Sequence, residues 1–101
     1  MRRSYVLDMA AKVKIYTTGW CGYCHAALRL LKQKGVDFEQ IDAEDSKTRR
    51  WLRDATGRTT VPQIFIDGKS VGGYTDIRAL DERGELDRLL AGSARETHAS
   101  H

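Results

Sequence analysis

The chain of 101 residues predicts an α/β domain, a four-stranded mixed sheet with helices on both faces in the order β-α-β-α-β-β-α. Three observations predict it. Residues 13 to 41 pass from period two to period 3.6 and back to period two, as a strand–helix–strand unit does. A short apolar run after the single proline is joined to a second run by Asp67-Gly68, the residue pair of a tight hairpin. The segments between and after these carry helix caps and glycine stops.

In VKIYT, Val13, Ile15 and Thr17 fall on one face against Lys14 and Tyr16 on the other, which predicts a half-buried first strand. From Gly22 the pattern is helical. Cys24, Ala27, Leu28 and Leu31 form one stripe, and Gly35 stands where a left-handed residue ends a helix. VDFEQI, residues 36 to 41, is a second strand, and a strand–helix–strand unit of this length makes the two strands parallel. Asp45 or Ser46 caps a second helix to Thr56, with Trp51, Leu52 and Ala55 as its inner face and Gly57 as its stop. QIFI (63–66) and SVGG (70–73) form an antiparallel pair. Thr75 or Asp76 then opens a helix through Ile77 and Leu80 to Gly84, and Leu86, Leu89 and Leu90 continue an amphipathic end. The layout is thioredoxin-like. The domain is expected over residues 12–91, with an N-terminal extension over 1–11, Met9 being an alternative start, and a flexible tail over 92–101.

A chain of this length, with 41% hydrophobic residues, holds one core. Charged residues make up 31%, and the net charge of +3 is spread among Asp and Glu, which describes a solvated surface and not a nucleic-acid footprint. No apolar run is long enough to span a bilayer, and MRRSYVLDMAAK lacks the apolar region of a secretion signal. No membrane association and a cytoplasmic location are therefore expected. Thiols are kept reduced there, so a lone cysteine pair points to catalysis or metal binding before a structural disulfide.

The pair lies in CGYCH, which fits two chemistries. Cys-x-x-Cys-His is the spacing for covalent haem attachment, and Cys-x-x-Cys after a strand is a dithiol redox pair. Haem attachment predicts an exported, mostly helical chain with a distal ligand, whereas this chain has strand patterns and no methionine after Met9. Zinc would want four ligands, and beyond the cysteines only His25, His98 and His101 are suitable histidines. The dithiol reading fits the place in the fold. Cys21 sits where the first helix begins, and there unpaired N–H groups and the positive end of the helix dipole favour a nucleophilic thiolate. Cys24, one turn in and more buried, is placed to resolve a disulfide formed on Cys21.

YTTGWCGYC, TTVPQIFIDG and VGGYTD, in this order and spacing, resemble the glutaredoxin family over about residues 12 to 91, most closely its small bacterial members. The resemblance implies a thioredoxin fold and reduction of glutathione mixed disulfides and protein disulfides, with glutathione as cosubstrate. By position Cys21 matches the nucleophile, Cys24 the resolving thiol, and Tyr23 the aromatic residue beside glutathione. Pro62 matches the family's cis-proline, next to which Val61 offers its N–H and C=O to the cysteinyl part of glutathione, with Thr60 before it in the groove. Gly72 and Gly73 let backbone come close. The N–H groups of Thr75 and Asp76 suit the γ-glutamyl carboxylate and the Asp76 side chain its ammonium. Arg49 occupies the place of a residue that reaches the glycine carboxylate in relatives, the alternative being a solvated helix arginine. Trp20 and Trp51 are exposed contacts or core, with Trp51 assigned to the core.

Two positions depart from the family pattern. Thr18 stands where lysine is common, so a cation that favours the thiolate is missing and more rests on Arg49 and the helix terminus. Gly22 replaces the motif proline. Family members with a small residue there sometimes hold a [2Fe–2S] cluster between two chains, through the first cysteine and one glutathione of each, so the resemblance also implies an alternative role as a cluster carrier or sensor, with Cys21 as the metal ligand. The partners implied are glutathione and disulfide-containing or glutathionylated proteins. The chain is expected to be a monomer, or a dimer where a cluster bridges it.

Overall fold

The computed structural model describes residues 11–19 and 21–91. The expected N-terminal extension, apart from Ala11, the expected tail 92–101 and the assignment of Trp20 lie outside the described residues. The elements run β1 (Val13–Thr17), α1 (Gly22–Gln33), β2 (Glu39–Asp42), α2 (Ser46–Thr56), β3 (Gln63–Ile66), β4 (Lys69–Gly72) and α3 (Tyr74–Glu82). A further helix, α4, covers 85–91. The sheet order is β2-β1-β3-β4. β1 pairs in parallel with β2, Ile15 opposite Gln40, and antiparallel with β3, Ile15 opposite Ile64. The thioredoxin-like layout is thus the one the sequence predicts.

Local chemistry sets the boundaries. Asp45 caps α2, accepting from the Thr48 N–H at 2.9 Å and the Thr48 hydroxyl at 2.7 Å. These bonds, backbone first, hold its carboxyl below the ordinary value. α2 stops at Gly57, φ +78°, whose N–H returns to Arg53 O at 2.8 Å, and α1 ends before Gly35 at φ +72°. In the hairpin Asp67 and Gly68 both take positive φ, as a two-residue turn of this kind requires.

The larger core joins Val13, Ile15, Ile64 and Ile66 of the sheet to Ala27 and Leu31 of α1, Ile77 of α3 and Leu86 and Leu90 of α4. Ala11 belongs to it and donates its N–H to Leu90 O. Alternate strand residues build a smaller core on the opposite face, where Tyr16 and Phe65 meet Leu52 of α2 and Ala43. β1 is therefore covered on both sides and not half-buried. Tyr16 is buried because α2 lies over its face, and only Lys14 remains exposed.

Further expectations are corrected. Trp51 is not core but 49% exposed, because its ring lies over the rim of the smaller core, 5.5 Å from the Tyr16 ring and 5.7 Å from that of Phe65. Ala55 is exposed as well, and Leu52 is the one buried residue of α2, packed in the small core of Tyr16, Ala43 and Phe65. α3 opens at Tyr74 with Gly73 as its cap, earlier than Thr75 or Asp76. Asp76 works from inside the first turn, accepting the Gly73 N–H at 2.9 Å. The strand edges shift too: β2 begins at Glu39 and β4 at Lys69.

Candidate active site

β1 runs out at Thr17 toward the start of α1, and Cys21 is the cap of that helix, with extended backbone at φ −155° and ψ 113°. Its sulfur takes the place an oxygen takes at an ordinary cap: Sγ accepts the Cys24 N–H at 3.3 Å, and its carbonyl accepts the His25 N–H at 3.1 Å. A negative sulfur here is met by a backbone donor and the positive end of α1. Cys21 is partly exposed, whereas Cys24 is 2% exposed, and both are free thiols. Burial, then the hydrogen bond to Cys21, push the Cys24 thiol up to about 11, against a smaller opposing effect of the Thr18 backbone. One sulfur is thus accessible at the helix start and the other is buried and favoured as the neutral thiol.

Four contacts then draw a continuous edge away from Cys21. Its thiol donates to the Val61 carbonyl at 3.6 Å, and the Val61–Pro62 bond is cis. A Cβ built on Gly73 would come within 3.1 Å of the Pro62 carbonyl, so a larger residue would press on that loop. Gly73 in turn is held by Asp76, and Tyr23, 63% exposed on the first turn of α1, sits 6.3 Å from Tyr74 between ring centroids. Cys21, Tyr23, Val61, Pro62, Gly73 and Asp76 are thereby brought together. Thr60 flanks them, its carbonyl and hydroxyl accepting from the buried Gln63 side chain at 3.0 and 3.4 Å. Thr75 lies exposed in the first turn of α3, where N–H groups have no partner within the helix.

Arg49 is not drawn into that edge. Its Nε–H donates to the Ala43 carbonyl at 3.0 Å, and it forms no ion pair among the described residues. The residue that does reach the edge is Arg58, which the sequence reading passed over. Its Nη1 lies 2.7 Å from Asp76 Oδ2, and with the Gly73 N–H it holds the Asp76 carboxyl below the ordinary range. Tyr74, part of the motif VGGYTD but given no role from sequence, reaches the edge as well through its ring contact with Tyr23. On the far side of Cys24 an open cleft of about 420 Å³ is lined by His25, Gln40, Asp42 and Glu44 among others, and none of the edge residues enters it.

Among the described residues no group of three or more His, Cys, Asp or Glu side chains is placed to hold a metal ion. For a [2Fe–2S] cluster Cys21 is the accessible sulfur and Cys24 is buried, so with Cys21 as the ligand three of four thiolates would have to come from outside this chain.

A free Cys-x-x-Cys pair at the start of the first helix of a thioredoxin-like fold defines a thiol–disulfide oxidoreductase. The glutaredoxin family model matches residues 13–71. Glutaredoxin 3 of Escherichia coli is 51% identical over 82 residues, covering 79% of this chain and 98% of that protein. The solution structure of glutaredoxin from Brucella melitensis is 42% identical and superposes with a TM-score of 0.76 over 84% of this chain and 94% of that one. The crystal structure of a buckwheat glutaredoxin–glutathione complex is 26% identical with a TM-score of 0.73, over 88% and 84% of the two chains. The chain belongs to the glutaredoxin family. No helix among the described residues is long and apolar enough to cross a membrane.

Proposed function

We propose that the protein reduces glutathione mixed disulfides and protein disulfides in the cytoplasm as a monomer, with glutathione as cosubstrate. The Cys21 thiolate attacks the glutathione sulfur of a mixed disulfide, the S–S bond breaks, and the target leaves as a thiolate. A second glutathione thiolate then attacks the sulfur held on Cys21, releasing oxidised glutathione and restoring Cys21. With a protein disulfide, Cys24 instead loses its proton and attacks the Cys21 sulfur, which releases the target dithiol and closes a Cys21–Cys24 bond that two glutathiones reopen. The observation that carries this reading is the Cys21 sulfur itself, 3.3 Å from a helix N–H and 3.6 Å from the Val61 carbonyl. A glutathione cysteinyl residue laid along Val61 brings its sulfur beside Cys21. In this reading Tyr23 flanks the tripeptide, the Thr75 and Asp76 N–H groups take its γ-glutamyl carboxylate, and the Nη groups of Arg49 take its glycine carboxylate. The solved complex of the buckwheat relative with glutathione supports the choice of cosubstrate. Turnover of a small glutathione mixed disulfide, coupled through glutathione reductase to NADPH oxidation, is the test. Saturable turnover is expected; reduction by dithiothreitol but not by glutathione would reject the reading.

One observation keeps a second role for the same cysteine. A side chain at Gly22 would meet nothing within 4 Å, so the space beside Cys21 is open to a second chain. If a cluster is carried there, anaerobic purification with iron and glutathione gives a coloured dimer that Cys21→Ser abolishes and Cys24→Ser spares. A colourless monomer after reconstitution removes this role.

A further inference from the structure

Arg58 follows the Gly57 stop of α2 and enters the loop that carries Thr60, Val61 and Pro62, while Asp76 lies in the first turn of α3. The fold brings the two together across 18 residues, Nη1 to Oδ2 at 2.7 Å, with side chains 51% and 40% exposed. So exposed a pair contributes little to stability. Its position is nevertheless fixed. Oδ2 also accepts the Gly73 N–H at 2.9 Å, so the carboxylate is tied to the backbone beside the cis-proline. Oδ1 has no hydrogen-bond partner among the described residues, and of the five guanidinium donors only one is used there. Asp76 is also kept in its anionic form, by Arg58 first and the Gly73 N–H second.

An anion and a cation side by side, each with unused hydrogen-bonding capacity on the rim of the site, match one kind of group. The α-amino acid head of a γ-glutamyl residue carries its ammonium and its carboxylate on the same carbon. A lone carboxylate needs only the cation, and a lone amine only the anion. We propose that Arg58 is the second half of the γ-glutamyl subsite: Asp76 Oδ1 accepts from the ammonium, the free Arg58 donors take the α-carboxylate together with the Thr75 and Asp76 N–H groups, and the Nη1–Oδ2 contact stays closed. The inference rests on glutathione being the cosubstrate. It makes Arg58 a specificity residue that selects thiols bearing an intact γ-glutamyl head.

The test compares glutathione with 4-aminobutyryl-cysteinyl-glycine, which keeps the amine and lacks the α-carboxylate. Each serves both as the reducing thiol and as the partner in a mixed disulfide with a fluorescent thiol, whose release is followed. The wild-type protein should prefer glutathione in kcat/KM by roughly tenfold or more. Arg58→Ala and Arg58→Gln should bring glutathione down to the level of the analogue and abolish the preference, with the loss mainly in KM. Arg58→Lys, a point charge without the fork, should recover part of it. Retention of the wild-type preference by Arg58→Gln, with thermal melting as in the wild type, overturns the inference and leaves the cosubstrate reading standing. A wild-type protein that does not saturate with glutathione overturns both.

Discussion

Cys21→Ser should lose both the mixed-disulfide and the dithiol activity, by at least about 10³-fold, the order expected when a covalent nucleophile is removed. Cys24→Ser should keep much of the mixed-disulfide activity and lose the dithiol reaction. The asymmetry follows from the two environments. Cys21 is accessible and its sulfur receives a helix N–H, whereas Cys24 is 2% exposed with a thiol pushed up to about 11. At neutral pH Cys24 is almost wholly protonated and does not compete for the substrate. Two of the causes that raise it are the hydrogen bond to Cys21 and the Cys21 charge. Both vanish once Cys21 is tied up in a disulfide, so Cys24 ionises more readily at the step that needs it. The sign is the same for stability: folding favours the neutral Cys24 thiol, a contribution complete below the ordinary thiol value of 9.0 and lost as pH rises through about 11. Alkylation at neutral pH, read by mass spectrometry, should place one label on Cys21 and reach Cys24 only after denaturation. Equal loss of activity in the two serine variants would sink the division of roles.

Much of the frame was legible because local chemistry determines it. The positive φ of Gly35, Gly57 and Gly68, the Asp45 cap and the strand at the apolar run QIFI each follow from a few neighbouring letters. What stayed hidden depends on how elements meet. Tyr16 looked like the outer face of a strand until α2 covered it, and Trp51 looked like core because the helical period cannot say how far the smaller core extends. Within the site, the Cys-x-x-Cys pair and the proline could be located from motif and period, but Arg58 could not. Between Gly57 and Thr59 it reads as one more basic residue of a charged stretch, and its partner Asp76 lies 18 positions away. For Arg49 the chain position suggested a place at the site, and the fold adds a bond that the letters do not show, from its Nε–H to the Ala43 carbonyl, which leaves its Nη groups uncommitted among the described residues.

Gly72→Ala should damage both stability and glutathione affinity, and Gly35→Ala provides the comparison that separates the causes. Both glycines have positive φ, +95° at Gly72 and +72° at Gly35, so an alanine at either is strained, by about 1–2 kcal/mol for a left-handed residue. Nothing lies within 4 Å of a Cβ at Gly35, and that variant should show the backbone strain alone. At Gly72 the new Cβ would sit inside contact distance of Asp76 Oδ2, Cγ and Cβ, so the carboxylate has to swing away. It then gives up the Gly73 N–H, adding about 1 kcal/mol for the broken bond, while loss of the exposed Arg58 contact adds little to stability and acts on binding. For a domain near 100 residues each kcal/mol shifts Tm by about 4–8 °C, so the two variants should be resolved by thermal melting. The functional difference should be sharper. Gly35 ends α1 at the far end from Cys21, whereas Gly72 packs against the Asp76 carboxylate, at the end of the edge proposed to take the γ-glutamyl group. Glutathione KM should rise about tenfold or more in Gly72→Ala, equal to about 1.4 kcal/mol, and stay unchanged in Gly35→Ala. If the two variants melt alike and saturate alike with glutathione, Asp76 is not held by the close approach at Gly72 and its part in binding falls with it.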